Sequence, residues 1–281
     1  MIVLRSMALA LTALLGGCAH QAEVPAPATR TKLVAVEVVT VPATASRQTT
    51  ITIYSPARPR GALLFSHGAS GTHGAYLQLI SRLTAAGYAV LAPLHVDSRQ
   101  HPDRARYTLQ TSFMERVADV GAAAKLAQDR YPALPMAAMG HSFGALFAQM
   151  QGGALSAFSS RVPGLKAVVS FSSPGIIRGL VDPATAFTSI AVPTLMITGT
   201  ADVVPGFTSD WNDHMASHRG APAGDRYALV LQGGDHFVAA ASNPAHFERA
   251  AEAAIAFLDA YVLGERAARR RLAGVGGLER R

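Results

Sequence analysis

The 281-residue chain is 49% hydrophobic and 15% charged, a balance that excludes intrinsic disorder and suits one large α/β domain with a substantial core. Its formal net charge of +7 does not mark a nucleic-acid binder: Arg266, Arg269, Arg270, Arg271, Arg280 and Arg281 crowd the C-terminal end, and the charge of the remainder is modest. A single cysteine, Cys18, excludes an intramolecular disulfide.

At the N-terminus, Arg5 supplies a positive region, Met7 to Leu15 an apolar run too short to span a bilayer, and Leu15-Gly16-Gly17-Cys18 a small-residue cleavage site. This pattern resembles a bacterial lipoprotein signal covering residues 1–17. The resemblance implies cleavage before Cys18, a diacylglycerol on its thiol and a lipid-anchored protein of the bacterial cell envelope, periplasmic or at the outer membrane. Ala19 in place of Asp resembles outer-membrane sorting. The competing reading is an ordinary secretory peptide with a chance cysteine. Residues 18–32, rich in Ala, Pro and Thr from Gln21 to Lys32, form a tether.

The catalytic domain is expected over residues 33–264. Val34 to Val41 and Thr49 to Tyr54 carry the β-branched pattern of edge strands, and Gly61 to Ser66 is an apolar strand running into His67-Gly68-Ala69-Ser70-Gly71. Tyr76 to Ala86 has helical spacing, Gly87 stops it, and Tyr88 to Pro93 is the next strand, a succession that requires a right-handed parallel crossover. The polar loop that follows holds His95, Asp97, His101 and Asp103. Their spacing fits no metal-ligand template, so pocket lining is the better reading and no metal is expected. Ser112 to Arg130 is an amphipathic helix in which Glu115, Arg116 and Asp119 read as a solvated or rim face.

Met136 to Met139 is a short apolar run, Gly140-His141-Ser142-Phe143-Gly144 a G-x-S-x-G turn, and Ala145-Leu146-Phe147 opens an apolar helix. The glycines flank Ser142 where a side chain would collide with strand or helix, so the backbone can turn sharply and present the hydroxyl. Here the chain, from about Val34 to Leu263, resembles the α/β-hydrolase superfamily, within it the lidless dienelactone-hydrolase-like and platelet-activating-factor-acetylhydrolase-like esterases. The resemblance implies an α/β-hydrolase fold, a mostly parallel central sheet with helices on both faces and no large lid. The segment Ser172 to Val192, where relatives place a lid, is short. The resemblance also implies an oxyanion hole formed by the N–H groups of Ala69, in the H-G-x-x-G turn, and Phe143.

The other two catalytic positions follow from the same pattern. Val192 to Gly199 is a late strand, with Asp202 and Pro205 in the turn after it. Arg226 to Leu231 is the last strand, and Gln232 to Phe237 resembles the family's histidine loop. The order Ser142, Asp202, His236 is the one the family uses. A serine hydroxyl is a poor nucleophile until an imidazole takes its proton, a task that falls to His236, with Asp202 fixing its tautomer. Asp235 competes for the acid's role but adjoins His236, and Asp210 and Asp213 rank below it. Asn243 to Leu263 is a closing helix, and Glu265 to Arg281 reads as a solvated basic tail.

The reading is a serine carboxylesterase acting on small or medium esters through an acyl-enzyme, with no cofactor. Substrate is expected among Ala69, Phe143 and His236, with His67, His95 and Pro205 as substrate-binding residues, and His141 as packing or pocket wall. The partners are a small ester substrate and, through the lipid anchor, a membrane; nucleic acid is not a partner, and the sequence leaves oligomeric state open. The alternatives are an acyltransferase or a lipid or polyester hydrolase at a surface, and a non-catalytic envelope lipoprotein that uses the fold for binding.

Overall fold

Strands Val34–Pro42 (β1) and Gln48–Pro56 (β2) form an antiparallel pair at one edge of the sheet. The next strand, Gly61–Ser66 (β3), sends Leu63 and Phe65 into one hydrophobic cluster and Ala62 and Leu64 into another. Side chains alternate along a strand, so an unbroken apolar run belongs in a strand covered on both faces. The computed structural model describes residues 34–281 and places β3 inside a nine-stranded sheet. The signal sequence, Cys18 and the tether lie outside the described residues.

The first helix, Leu77–Ala85 (α1), buries Leu79, Ile80 and Leu83 against the sheet. It ends before Gly87, whose φ of +100° favours glycine. Tyr88–Pro93 (β4) then pairs parallel with β3 and antiparallel with β2. Phe113–Arg130 (α2), Met136–His141 (β5), Phe143–Gln151 (α3), Ala167–Phe171 (β6), Thr194–Gly199 (β7), the short Ala216–Gly220 (α4) and Arg226–Leu231 (β8) follow. Asn243 caps Pro244–Tyr261 (α5), its side chain accepting from the Ala245 and His246 N–H groups, with Pro244 in the first turn where no N–H is missed. Arg266–Ala273 (α6) and Leu278–Arg280 (β9) complete the chain.

The strand order is β1-β2-β4-β3-β5-β6-β7-β8-β9, parallel from β4 to β8. Residues of α1 and α5 share one core with one face of the sheet, and residues of α2 and α3 cover the other. This is the α/β-hydrolase fold expected from the sequence. Only the segment between β6 and β7 stands where a lid would insert, and it is short. Among the described residues, no helix is long and apolar enough to cross a membrane.

Two expectations are corrected. Arg116 and Asp119 do not line a solvated face of α2: both side chains are fully buried, because each meets an opposite charge from another element. Residues 265–281 are not a solvated tail. Ala268 and Leu272 pack α6 inward, Arg271 donates to Asp259 at 2.9 Å, Arg280 donates to Asp225 at 2.7 Å, and β9 pairs antiparallel with β8.

Candidate active site

The C-terminal ends of β3, β5, β7 and β8 supply the turn holding Ala69, the elbow serine, Asp202 and His236. Ser142 stands between β5 and α3 at φ 54° and ψ −127°, a strained region for a residue with a side chain. Its N–H donates to the Phe171 carbonyl at 2.9 Å, which fixes the turn to β6. A Cβ on Gly140 would lie 2.3 Å from the Gly144 carbonyl oxygen, and one on Gly144 would lie 2.1 Å from the Ser66 carbonyl oxygen. Neither position admits any other residue, and the contact made by Gly144 shows why: α3 starts in touch with the end of β3. Ser142 itself is half-buried.

Asp202, in the turn after β7, is fully buried and accepts at both carboxylate oxygens. Thr198 Oγ1 donates to Oδ2 at 2.7 Å, His236 Nδ1 donates to Oδ1 at 2.7 Å, and His214 Nε2 lies 2.9 Å from the same Oδ1. Burial alone would raise this carboxyl, but the hydrogen bonds from His214 and His236 outweigh it and hold Asp202 far below the usual carboxylate range. His236 sits in the loop after β8 with Phe237 edge-on at 5.3 Å between ring centroids. His141, the residue before Ser142, lies 4.8 Å from the His236 ring. Asp202 and His236 are thus joined, and His141, next to Ser142 in the chain, brings the elbow beside the His236 ring. Asp235 turns away to accept from Phe237 N–H and Ser242.

Asp202, His214 and His236 bring ligand-type atoms within 4.8 Å of one another, the one such trio among the described residues. Both imidazoles meet the carboxylate at hydrogen-bonding distance, which accounts for their closeness. We assign no metal to them.

The turn after β3 faces the elbow: a Cβ on Gly68 would lie 3.4 Å from Ser142 Cβ. No acceptor among the described residues takes the N–H of Ala69 or Phe143, as expected for donors kept open for a ligand, the latter at a helix N-terminus. Arg116 builds this turn from beneath. It donates to the carbonyls of His67 at 2.8 Å and Gly68 at 3.0 Å, and to both oxygens of Asp97 at 2.7 and 2.9 Å. Asp97 in turn accepts from Ser70 N–H at 2.9 Å. Its carboxyl is held well below the ordinary range because the hydrogen bonds and charge of Arg116 exceed the effect of burial. The guanidinium also lies 5.0 Å from the centroid of the Phe143 ring.

His67 and His95, expected to meet substrate, are 1% and 0% exposed and form this substructure instead. His67 Nδ1 donates to the Gly68 carbonyl at 2.8 Å, and His67 Nε2 accepts from His95 N–H at 3.2 Å. His95 bridges Asp119 at 3.0 Å and Ser66 at 2.9 Å. This buried Asp-His-Ser series copies a catalytic triad in connectivity, but no substrate reaches it, and it fastens the ends of β3 and β4 to α2. Pro205 is exposed on the loop after Asp202, beside the exposed Val203 and Phe207.

His141 is a link and not only a wall. Gly68 N–H donates to the Tyr76 hydroxyl at 3.2 Å, Tyr76 lies 2.8 Å from His141 Nδ1, and His141 Nε2 lies 2.6 Å from the His236 carbonyl oxygen. One assignment satisfies every atom: Tyr76 O–H donates to Nδ1, and Nε2–H donates to the carbonyl. Burial keeps the Tyr76 hydroxyl protonated by raising it to about 12, and burial, with the nearby His236, lowers His141 to about 4. Sequence reading placed Asp97 in a pocket-lining loop and missed Tyr76, Arg116 and His214 as parts of the site, since nothing local distinguishes them.

These buried neutral histidines predict acid sensitivity. An unfolded chain takes up a proton at each as pH falls through the ordinary value of 6.5, whereas folded His141 resists down to about 4. Stability is therefore complete above 6.5 and declines as pH falls, by about 2 kcal/mol at pH 5 for His141 alone. His67 and His95, lowered chiefly by burial, act in the same direction. His214, raised by its pairing with Asp202 in spite of burial, opposes them. Denaturant titrations at pH 7 and pH 5 should show a net loss of at least about 2 kcal/mol; equal stability at the two values would contradict the neutral assignments.

Residues 57–176 match the family model described as serine aminopeptidase, S33, a span that holds the turn after β3 and the elbow but not Asp202 or His236. Similar solved structures include a dienelactone hydrolase from Anabaena variabilis, 16% identical with a TM-score of 0.60 over 82% of this chain and 99% of that one. The esterase domain of a Rhodothermus marinus protein is 18% identical with a TM-score of 0.58, over 81% of this chain and 99% of its own. A thermostable carboxyl esterase from Bacillus coagulans, in complex with glycerol, is 16% identical with a TM-score of 0.60, again over 81% and 99%. None of the curated proteins matches the sequence. The fold is that of the α/β-hydrolases, and the family match covers the part of it that carries the elbow.

Proposed function

We propose that the chain is a serine carboxylesterase with Ser142, His236 and Asp202 as its triad. The observation that carries this reading is the 2.7 Å bond from His236 Nδ1 to buried Asp202 beside a strained serine between two sterically obligatory glycines. Asp202 holds the Nδ1–H tautomer, which leaves Nε2 free to accept the Ser142 proton. Ser142 Oγ attacks the ester carbon, the carbonyl oxygen takes up the negative charge, and the N–H groups of Ala69 and Phe143 receive it. His236 then hands its proton to the departing alkoxide. A water molecule repeats the sequence on the acyl-enzyme: His236 takes its proton, the hydroxide adds, and Ser142 leaves with that proton.

Val203, Phe207 and Phe237 are 48%, 72% and 58% exposed on the loops that hold Asp202 and His236. An apolar rim beside the reacting atoms favours esters with an apolar acyl or alcohol part, including esters presented at a surface. Turnover of p-nitrophenyl esters of increasing acyl length, against the matching p-nitroanilides, tests the assignment. Ester cleavage that disappears in Ser142→Ala is the expected result; anilide cleavage without ester cleavage would point to a peptidase.

A further inference from the structure

His214 lies in the single turn Trp211–Met215, and its side chain is 1% exposed. Its two ring nitrogens face three oxygens. Nδ1 is 2.8 Å from the Ser173 carbonyl, and Nε2 is 2.9 Å from Asp202 Oδ1 and 3.2 Å from the Asp202 backbone carbonyl. None of these oxygens has a proton to give: two are carbonyls, and the carboxylate already accepts from Thr198 and His236. A neutral imidazole carries one N–H, so one of its nitrogens would set a lone pair against an oxygen in a site without solvent. An imidazolium donates on both sides and leaves nothing unpaired.

We propose that His214 is held as an imidazolium and is a positioning residue of the site, a second imidazole that shares the Asp202 carboxylate with His236 and weakens that carboxylate's hold on a proton at His236. The inference rests on the triad reading. Its electrostatic sense is simple: Asp202 facing His236 alone would favour a protonated His236, which cannot accept the serine proton, whereas a cation on the other side of the carboxylate offsets part of that attraction. The site is thereby kept competent at lower pH.

The groups that face His214 come from four elements. Asp202 follows β7, His236 follows β8 at 6.0 Å between ring centroids, His141 ends β5, and the Ser173 carbonyl follows β6. Only Asp202 is anionic. Burial disfavours the cation, and the hydrogen bonds and charge of Asp202 reverse that effect, raising His214 above its ordinary range.

The test compares wild type, His214→Gln and Ser142→Ala in kcat/KM against pH on one p-nitrophenyl ester. Glutamine fills similar space and can donate one N–H, but it carries no charge. The acid limb of the profile should move to higher pH by about one unit in His214→Gln. A residue that only filled space would lower the plateau without moving the limb, so an unmoved limb in a folded variant overturns the proposal. Imidazole 15N–1H correlation on the full-length wild type decides independently of whether the variant folds. Two ring N–H groups on His214 and one on His141 at neutral pH support the assignment; a single N–H on His214 overturns it. Loss of activity in Ser142→Ala with an unmoved limb in His214→Gln sinks this inference alone, whereas wild-type turnover by Ser142→Ala sinks the triad reading beneath it.

Discussion

Asp202→Asn is expected to lower kcat for ester hydrolysis by about four orders of magnitude while the fold survives, by analogy with the serine-protease triad in which the same exchange was worked out. The carboxylate does three things that an amide cannot repeat together. Oδ1 accepts from His236 Nδ1 and lies 2.9 Å from His214 Nε2, Oδ2 accepts from Thr198, and the negative charge stabilises the imidazolium that forms when His236 takes the serine proton. An amide that presents its NH2 group to His236 forces the opposite tautomer, with Nε2 protonated and unable to act as base. Presenting its oxygen instead keeps the tautomer but gives up the charge. The measurement is single-turnover acylation of Asp202→Asn beside wild type, with circular dichroism to verify the fold. A loss smaller than about tenfold, set against that template, would remove Asp202 from the acid's role.

The largest expected loss of stability comes from Arg116→Leu. Arg116 and Asp97 are both buried and joined by two short hydrogen bonds, and the same guanidinium satisfies the His67 and Gly68 carbonyls. Removing one partner of a buried ion pair strands the other, and the cost is about 3–5 kcal/mol. For a domain of this size that corresponds to a fall in melting temperature of about 10 °C. The double variant Arg116→Leu/Asp97→Leu should recover part of the loss, because no buried charge is then left alone. Activity should not recover with it, since the turn that presents the Ala69 N–H has lost its support from beneath. Equal stability of wild type and Arg116→Leu in denaturant titration would contradict the account of this ion pair.

The parts of the molecule legible in the sequence are those whose signal is local. The run Gly61–Ser66 is apolar at every inward position because both of its faces are covered, and Gly140 and Gly144 are glycines because a Cβ at either would strike backbone. Asp202 and His236 were singled out because each follows an apolar strand in the order that the resemblance implies, and their side chains are hydrogen-bonded to each other. What could not be read is the set of charges whose partners are distant in sequence. Arg116 looks like a helix-surface residue until Asp97 and the two carbonyls of the turn after β3 are brought against it, 19, 49 and 48 residues away. His95 and His67 looked like rim residues for the same reason: polar groups at the end of a strand serve a pocket or its foundation, and only packing decides which. His214 sits in a short turn with no periodicity, and its ring is meaningful only once the Ser173 carbonyl and Asp202 close around it. The C-terminal arginines misled through composition, since Arg271 and Arg280 pair with Asp259 and Asp225 while Leu272 anchors the helix that carries Arg271.

The central claim is that Ser142 is an activated nucleophile. Its most direct test is labelling of the full-length protein with a fluorophosphonate, in wild type and in Ser142→Ala, with the modified peptide mapped by mass spectrometry. Covalent modification of wild type at Ser142, absent from the variant, is the predicted result. A folded wild type that stays unlabelled, or a label that persists in Ser142→Ala, would contradict it.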